Sequence, residues 1–134
     1  MKSAIDGGCL CGGVRYRLEA TPTQRNDCHC LDCRRSSGAP FVTWGTVSRE
    51  QVTILAGELR KIPHANRVRS FAACCGTHLF FEDAPDAETV DVAIASLDDP
   101  APFPPEMTIW TEDRLPWVIL DETRPMYRRS QREG

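Results

Sequence analysis

Nowhere in the 134 residues do apolar side chains run for the roughly 20 positions that a bilayer-spanning helix needs. The first residues, MKSAIDGG, hold no apolar segment of the kind that directs secretion, so a reducing, cytoplasmic setting is expected. Positive charge is not in excess either. Sixteen Lys and Arg stand against 19 Asp and Glu, a formal net charge of −3, so nucleic acid is not an expected partner. Repeats and low-complexity stretches are absent, and no segment keeps apolar residues at helical spacing for more than two turns. These absences argue against a membrane protein, a solenoid and a helical bundle. With 41% hydrophobic and 26% charged residues, an ordinary globular chain with one core remains.

What is present reads as β structure. Val14, Tyr16 and Leu18 alternate with Arg15, Arg17 and Glu19, the period of a half-buried strand. Residues 41–47 and 51–56 carry the β-branched and aromatic bias of strands, and Gly57 predicts a turn into 58–62. Residues 67–73 and 77–82 flank Cys74-Cys75-Gly76 as two strands flank a tight turn. Residues 90–97 alternate again, and 117–120 are a last candidate strand. A short helical turn is expected at 32–37. Of ten prolines, many fall between Pro100 and Pro116, which predicts an irregular loop anchored over the sheets by Phe103, Met107 and Trp110. Phe41, Trp44, Phe80, Phe81 and Trp117 are core candidates, with Phe41 or Trp44 also placed to line a pocket. The expected fold class is therefore all-β: a single domain over 1–127, built from two or more small antiparallel sheets, with a polar tail, RRSQREG, at 128–134.

Seven cysteines stand out: Cys9, Cys11, Cys28, Cys30, Cys33, Cys74 and Cys75. An odd number cannot all pair within one chain, and clustered thiols in a reducing compartment point to metal. They fall into three groups, Cys9-Leu10-Cys11, Cys28-His29-Cys30-Leu31-Asp32-Cys33 and Cys74-Cys75-Gly76. Residues i and i+2 of extended chain point the same way, so a CxC pair can aim two sulfurs at one ion. Gly12, Gly13 and Gly76 follow the first and third groups and permit the bends that thiolate-binding turns need. Thiolate-rich tetrahedral sites select zinc or iron–sulfur clusters, and the spacings match no ferredoxin pattern, so zinc is favoured. Seven cysteines divide as four plus three. The central run supplies three ligands within six residues, while Cys9 and Cys11 need partners, and Cys74 and Cys75 are the thiols left. Four protein ligands make a closed structural site, and three leave a position for water or substrate. Two zinc ions per chain are expected.

At these residues the chain resembles the glutathione-dependent formaldehyde-activating enzyme family, also called the GFA or centromere protein V family. GGCLCGGVRY (7–16), CHCLDCRRSSGAPF (28–41) and CCGTHLFF (74–81) follow the family's order and span most of the chain, and PWV (116–118) fits as well. The resemblance implies a coiled β fold with two zinc sites. Cys9 and Cys11 would join the third group in a structural site, and Cys28, Cys30 and Cys33 would form the catalytic-type site. It also implies a carbon–sulfur lyase reaction that joins formaldehyde to glutathione as S-(hydroxymethyl)glutathione. The chain departs from the family pattern at Ala72, where a cysteine is usual, and carries Cys74 beside Cys75 instead. The structural site is thus Cys9, Cys11, Cys74 and Cys75, or three cysteines with another ligand such as His78. Gly76 supplies the bend that favours four cysteines.

A three-thiolate zinc with an open position suits a substrate thiol, since zinc holds it as the reactive thiolate. Arg34 and Arg35 follow the central cysteines and are candidates for holding substrate carboxylates, or else solvated surface groups. His29 is a proton shuttle or alternative ligand in one reading. Alternation between Cys28 and Cys30 favours the other, a structural imidazole on the opposite face. Asp32 either orients a ligand or caps a turn. Two functions stand at this point. One is a zinc enzyme acting on a thiol such as glutathione and a carbonyl such as formaldehyde. The other is a non-catalytic zinc-stabilised binding module.

Overall fold

Ten strands and one short helix form the regular structure of residues 4–130, the part of the chain that this computed structural model describes. In order they are β1 (Ile5–Gly8), β2 (Arg15–Leu18), β3 (Thr23–Cys28), α1 (Leu31–Ser37), β4 (Val42–Ser48), β5 (Val52–Ala56), β6 (Leu59–His64), β7 (Arg67–Ala72), β8 (His78–Glu82), β9 (Thr89–Ala93) and β10 (Met107–Ile109). One sheet has three strands in the order β1-β2-β5, the other seven in the order β10-β3-β4-β9-β8-β7-β6. All pairings are antiparallel except that of β10 with β3. The chain passes from the small sheet to the large one through Gly57, whose φ of +85° is open to glycine at no steric cost.

The alternation at Val14, Tyr16 and Leu18 drives these side chains inward, and all three are fully buried. They meet Leu79, Phe80, Val90 and Val92 of the large sheet in one shared core, with the Tyr16 and Phe80 rings edge-to-face at 5.0 Å. Each such side chain contributes about 1.5–3 kcal/mol by leaving water. A second, smaller cluster holds Cys28, Cys33, Trp44 and Ala93, with Phe81, Ile109 and Trp110 packed against it. The proline-rich stretch does pack over the sheets, Phe103 on the first core and Trp110 on the second.

Several expectations are corrected. The strand over 90–97 ends at Ala93, and Ile94–Ser96 form a 3-10 turn. Ala93 and Ile94 are both buried, and two consecutive inward side chains break a period of two, so the backbone must turn. Residues 117–120 form no strand, and Trp117 is 68% exposed rather than in the core. A strand needs a neighbouring edge to satisfy its backbone, and these residues have no ladder partner among the described residues. Conversely β1 and β3 lack apolar alternation and arise from pairing with β2 and β4, and Met107–Ile109, within the expected irregular loop, pair with β3 as β10. At the expected tail, the Trp110 amide bonds to the Arg129 carbonyl at 2.9 Å, and Arg128 and Arg129 both reach the Glu112 carboxylate. Residues 131–134 of that tail lie outside the described residues.

Candidate metal centres

Two tight turns bring the first and third cysteine groups together. The β1–β2 turn is closed by the Cys9 amide on Val14 O and the Gly12 amide on Cys9 O, both at 3.1 Å. The β7–β8 turn is closed by Ala72 N to Thr77 O and Gly76 N to Ala72 O, both 2.8 Å. The Leu10 amide donates to Thr77 Oγ1 at 3.0 Å and joins one turn to the other. Cys9 Sγ then lies 3.7 Å from both Cys11 Sγ and Cys74 Sγ, and Cys11 Sγ lies 3.2 Å from Cys74 Sγ. The sulfurs of Cys9, Cys11, Cys74 and Cys75 all fall within 4.8 Å of one another. Sulfurs about 2.3 Å from a tetrahedral zinc stand about 3.8 Å apart, so both the donor set and its spacing fit such an ion.

Two glycines permit this approach. A Cβ on Gly13 would sit 2.9 Å from Cys74 Sγ, and Gly76 turns the chain with a φ of +81°. That bend is what lets adjacent Cys74 and Cys75 reach one point. Amides of Val14 and Gly13 point at the sulfurs of Cys9 and Cys11, at 3.2 and 3.4 Å. The Cys75 thiol is pulled down to about 5, first by the Thr77 hydroxyl and then by the amides of Cys11 and Thr77. Cys74 is pushed up to about 12, chiefly by Cys11. His78 is not part of this group. Its ring stacks on Phe71 at 4.5 Å and meets Trp44 edge-on at 5.2 Å. Ala72 is 2% exposed and serves the apolar core.

The second group is local. Cys28 ends β3, Cys30 is the N-cap of α1, and Cys33 lies in its first turn. Cys30 Sγ accepts the Cys33 amide at 3.3 Å, so the cap that starts the helix also fixes the thiol. The three sulfurs lie within 4.8 Å of one another, with Cys28 and Cys33 buried. Trp44 Nε1 donates to Cys33 Sγ at 3.4 Å, and Arg69 Nη2 lies 3.9 Å from the same sulfur. Three touching thiols cannot all ionise alone. Cys30 is pulled well below its ordinary value by the thiols of Cys28 and Cys33, then by the Cys33 amide and Arg69. The same contacts hold Cys28 far above its ordinary value. All three cysteines line a cavity of about 550 Å³. A three-thiol donor set suits zinc, and the cavity leaves room for a further ligand.

Around this site the other candidates separate. His29 is 1% exposed, faces Phe41 at 4.8 Å between ring centroids, and belongs to neither thiol group. Asp32 lines the cavity, in the first turn of α1. Arg34 and Arg35 sit at the end of α1 and do not line it; among the described residues its arginines are Arg67 and Arg69. Trp44 and Phe81 line the wall, whereas Phe80 belongs to the main core. Sequence reading missed Arg69, Asn26 and Asp91, which all line the cavity. Arg69 and Asn26 are 8% and 9% exposed, and burial pushes Asp91 up to about 6. The signal available was an arginine inside a strand, at Arg69, but period-two alternation alone reads it as solvent-facing.

Fold and sites together define a small all-β chain with two cysteine clusters that could each hold a metal ion. The family described as "Glutathione-dependent formaldehyde-activating enzyme" (GFA) matches residues 4–113, and the chain belongs to it. It is 26% identical over 131 residues to a Halomonas elongata protein provisionally named a glutathione-dependent formaldehyde-activating enzyme, covering 87% of this chain and 81% of that one. Its fold is also similar to the crystal structure of a Rhodobacter sphaeroides protein, with a TM-score of 0.58 at 17% identity, over 91% of this chain and 98% of that one. Among the described residues no helix is long and apolar enough to cross a membrane.

Proposed function

We propose that this chain binds two zinc ions and forms or cleaves an adduct between a thiol and a small carbonyl, with glutathione and formaldehyde as the pair. The observation that carries this reading is the cavity of about 550 Å³ with Cys28, Cys30 and Cys33 in its wall. The family description and the name of the Halomonas elongata relative support the choice of thiol and carbonyl. Zinc, when bound there, supplies a Lewis acid and lowers the pKa of a thiol that reaches it.

In the synthetic direction the thiol sulfur forms a bond to the carbonyl carbon. The C=O π pair moves to oxygen, which takes up the proton that the thiol gave away. Cleavage reverses each movement, and no oxidant or reductant is needed. Cys28, Cys30 and Cys33 are the catalytic-site ligands in this reading. Trp44 orients Cys33 through its 3.4 Å contact. Asp91, raised to about 6 by burial and steadied by the Thr46 hydroxyl at 2.7 Å, is the cavity carboxyl suited to pass a proton near neutrality. Cys9, Cys11, Cys74 and Cys75 hold the other zinc and serve the fold of a zinc-binding domain over 1–127. The cytoplasm, which keeps thiols reduced, suits seven free cysteines.

The test follows exchange between labelled formaldehyde and S-(hydroxymethyl)glutathione by NMR, with metal content measured on the same sample. Wild type should exceed the uncatalysed rate, and Cys30→Ser should return it to that rate. Two bound zinc ions with no rate enhancement would favour the binding-module reading.

A further inference from the structure

Arginines in this protein mostly end on carboxylates. Arg17 meets Asp6 at 2.8 Å, Arg49 meets Glu82 at 3.0 Å, and Arg67 meets Asp83 at 3.1 Å. Arg69 differs. It is 8% exposed, and among the described residues no carboxylate lies within ion-pair distance of it. Its Nη2 lies 3.9 Å from Cys33 Sγ, its Cζ sits 4.7 Å above the centroid of the Phe81 ring, and its Nε is buried with no partner among the described residues. A buried charge persists where something of opposite sign compensates it. An aromatic face contributes, but less than a full counter-charge.

We propose that Arg69 is the counter-ion of the three-cysteine site and sets how tightly Cys28, Cys30 and Cys33 hold a divalent cation. The inference rests on reading these cysteines as ligands. Three thiolates around a divalent cation carry one excess negative charge, and one guanidinium cancels it. Guanidinium suits the place because it keeps its charge when buried and can stack on an aromatic ring, and its Cζ here sits over Phe81. Arg69 also lines the cavity, so an anionic ligand entering there meets the same positive charge. Arg69 is thus a positioning residue, acting through the thiolates. Arg67 lines the same cavity, but its charge is already balanced by Asp83.

The experiment compares wild type with Arg69→Met, Arg69→Lys and Arg67→Met in the full chain. Zinc affinity is read by competition with a chromogenic chelator, thiolate coordination by the absorption of the cobalt(II) form, and folding by circular dichroism. Arg69→Met should keep its fold and its tightly held metal while binding the labile metal about tenfold or more weakly, a loss of about 1.4 kcal/mol or more of charge stabilisation. Arg69→Lys should recover most of the affinity and the cobalt(II) charge-transfer band, and Arg67→Met should match wild type. Should Arg69→Met not fold, Arg69→Gln against Arg69→Lys makes the same comparison of charge. Labile-metal affinity within twofold of wild type in the neutral variant overturns the counter-ion role alone. Equal weakening in Arg69→Lys and the neutral variant also overturns it, in favour of simple packing on Phe81. A wild type whose cation uptake is unchanged by Cys30→Ser overturns the ligand reading, and this inference with it.

Discussion

The two cysteine clusters offer the same donor atoms in opposite settings. Cys9 and Cys11 meet Cys74 and Cys75 across more than sixty residues, at a surface where Cys11 and Cys74 are exposed. Cys28, Cys30 and Cys33 come from one strand end and the helix turn after it, and two of them are buried. A metal that joins distant segments closes a long loop and ties the small sheet to the large one, so its binding energy is folding energy. A metal held within six residues closes almost nothing and leaves its free energy for ligand chemistry. On the proposed reading exposure is therefore a poor guide to role: the exposed cluster would act as the staple, while the buried one faces the cavity.

The largest effect that would break this comparison is loss of the staple. Cys9→Ser or Cys75→Ser should yield insoluble or unfolded protein, a loss on the order of 5–10 kcal/mol. Wild-type melting in both variants would remove the structural role. Cys30→Ser should keep its far-UV circular dichroism and lose no more than about 2 kcal/mol, while losing one zinc and the thiol-dependent exchange. Unfolding of Cys30→Ser would reverse the division of roles. In wild type, the first zinc stripped by a chelator should be the one that Cys30→Ser lacks. Ligand number, rather than burial, is expected to set the order.

A smaller effect concerns the ring between the two regions. His78 follows the β7–β8 turn and packs on Trp44, and burial, then Arg69, depress it to about 4 from 6.5. Between those values the unfolded chain binds the extra proton and the folded chain does not. The stability from neutral His78 is complete above pH about 6.5 and is lost as pH falls through about 4. Comparing wild type with His78→Phe by denaturant titration across that window should isolate a stability change of about 3 kcal/mol. Parallel stability curves would show that the ring is not held neutral. Smallest of all, Arg35→Ala, on the exposed end of α1, should change stability by no more than about 0.5 kcal/mol and leave exchange intact. A clear drop in exchange would restore Arg35 as a substrate anchor.

Both clusters were legible in the sequence because their ligands are rare residues at fixed spacing. The strand at Val14, Tyr16 and Leu18 was legible because period two survives wherever one face is buried. β3 was not, since Thr23–Cys28 reads TQRNDC and gains its order from β4 and β10. Trp117 misled in the other direction, because aromatic character favours burial only where the fold provides a site.

By itself the sequence determined which residues offer sulfur, which glycines free the turns, and that the chain is built of strands. Tertiary structure decided that adjacent Cys74 and Cys75 both face Cys9 and Cys11, that His78 packs against rings rather than joining them, and that Arg69, not Arg34 or Arg35, stands at the buried thiols. The physical reason is range. Donor type and local bend are properties of a few neighbouring residues, whereas an arginine's partner depends on which strand folding brings beside it.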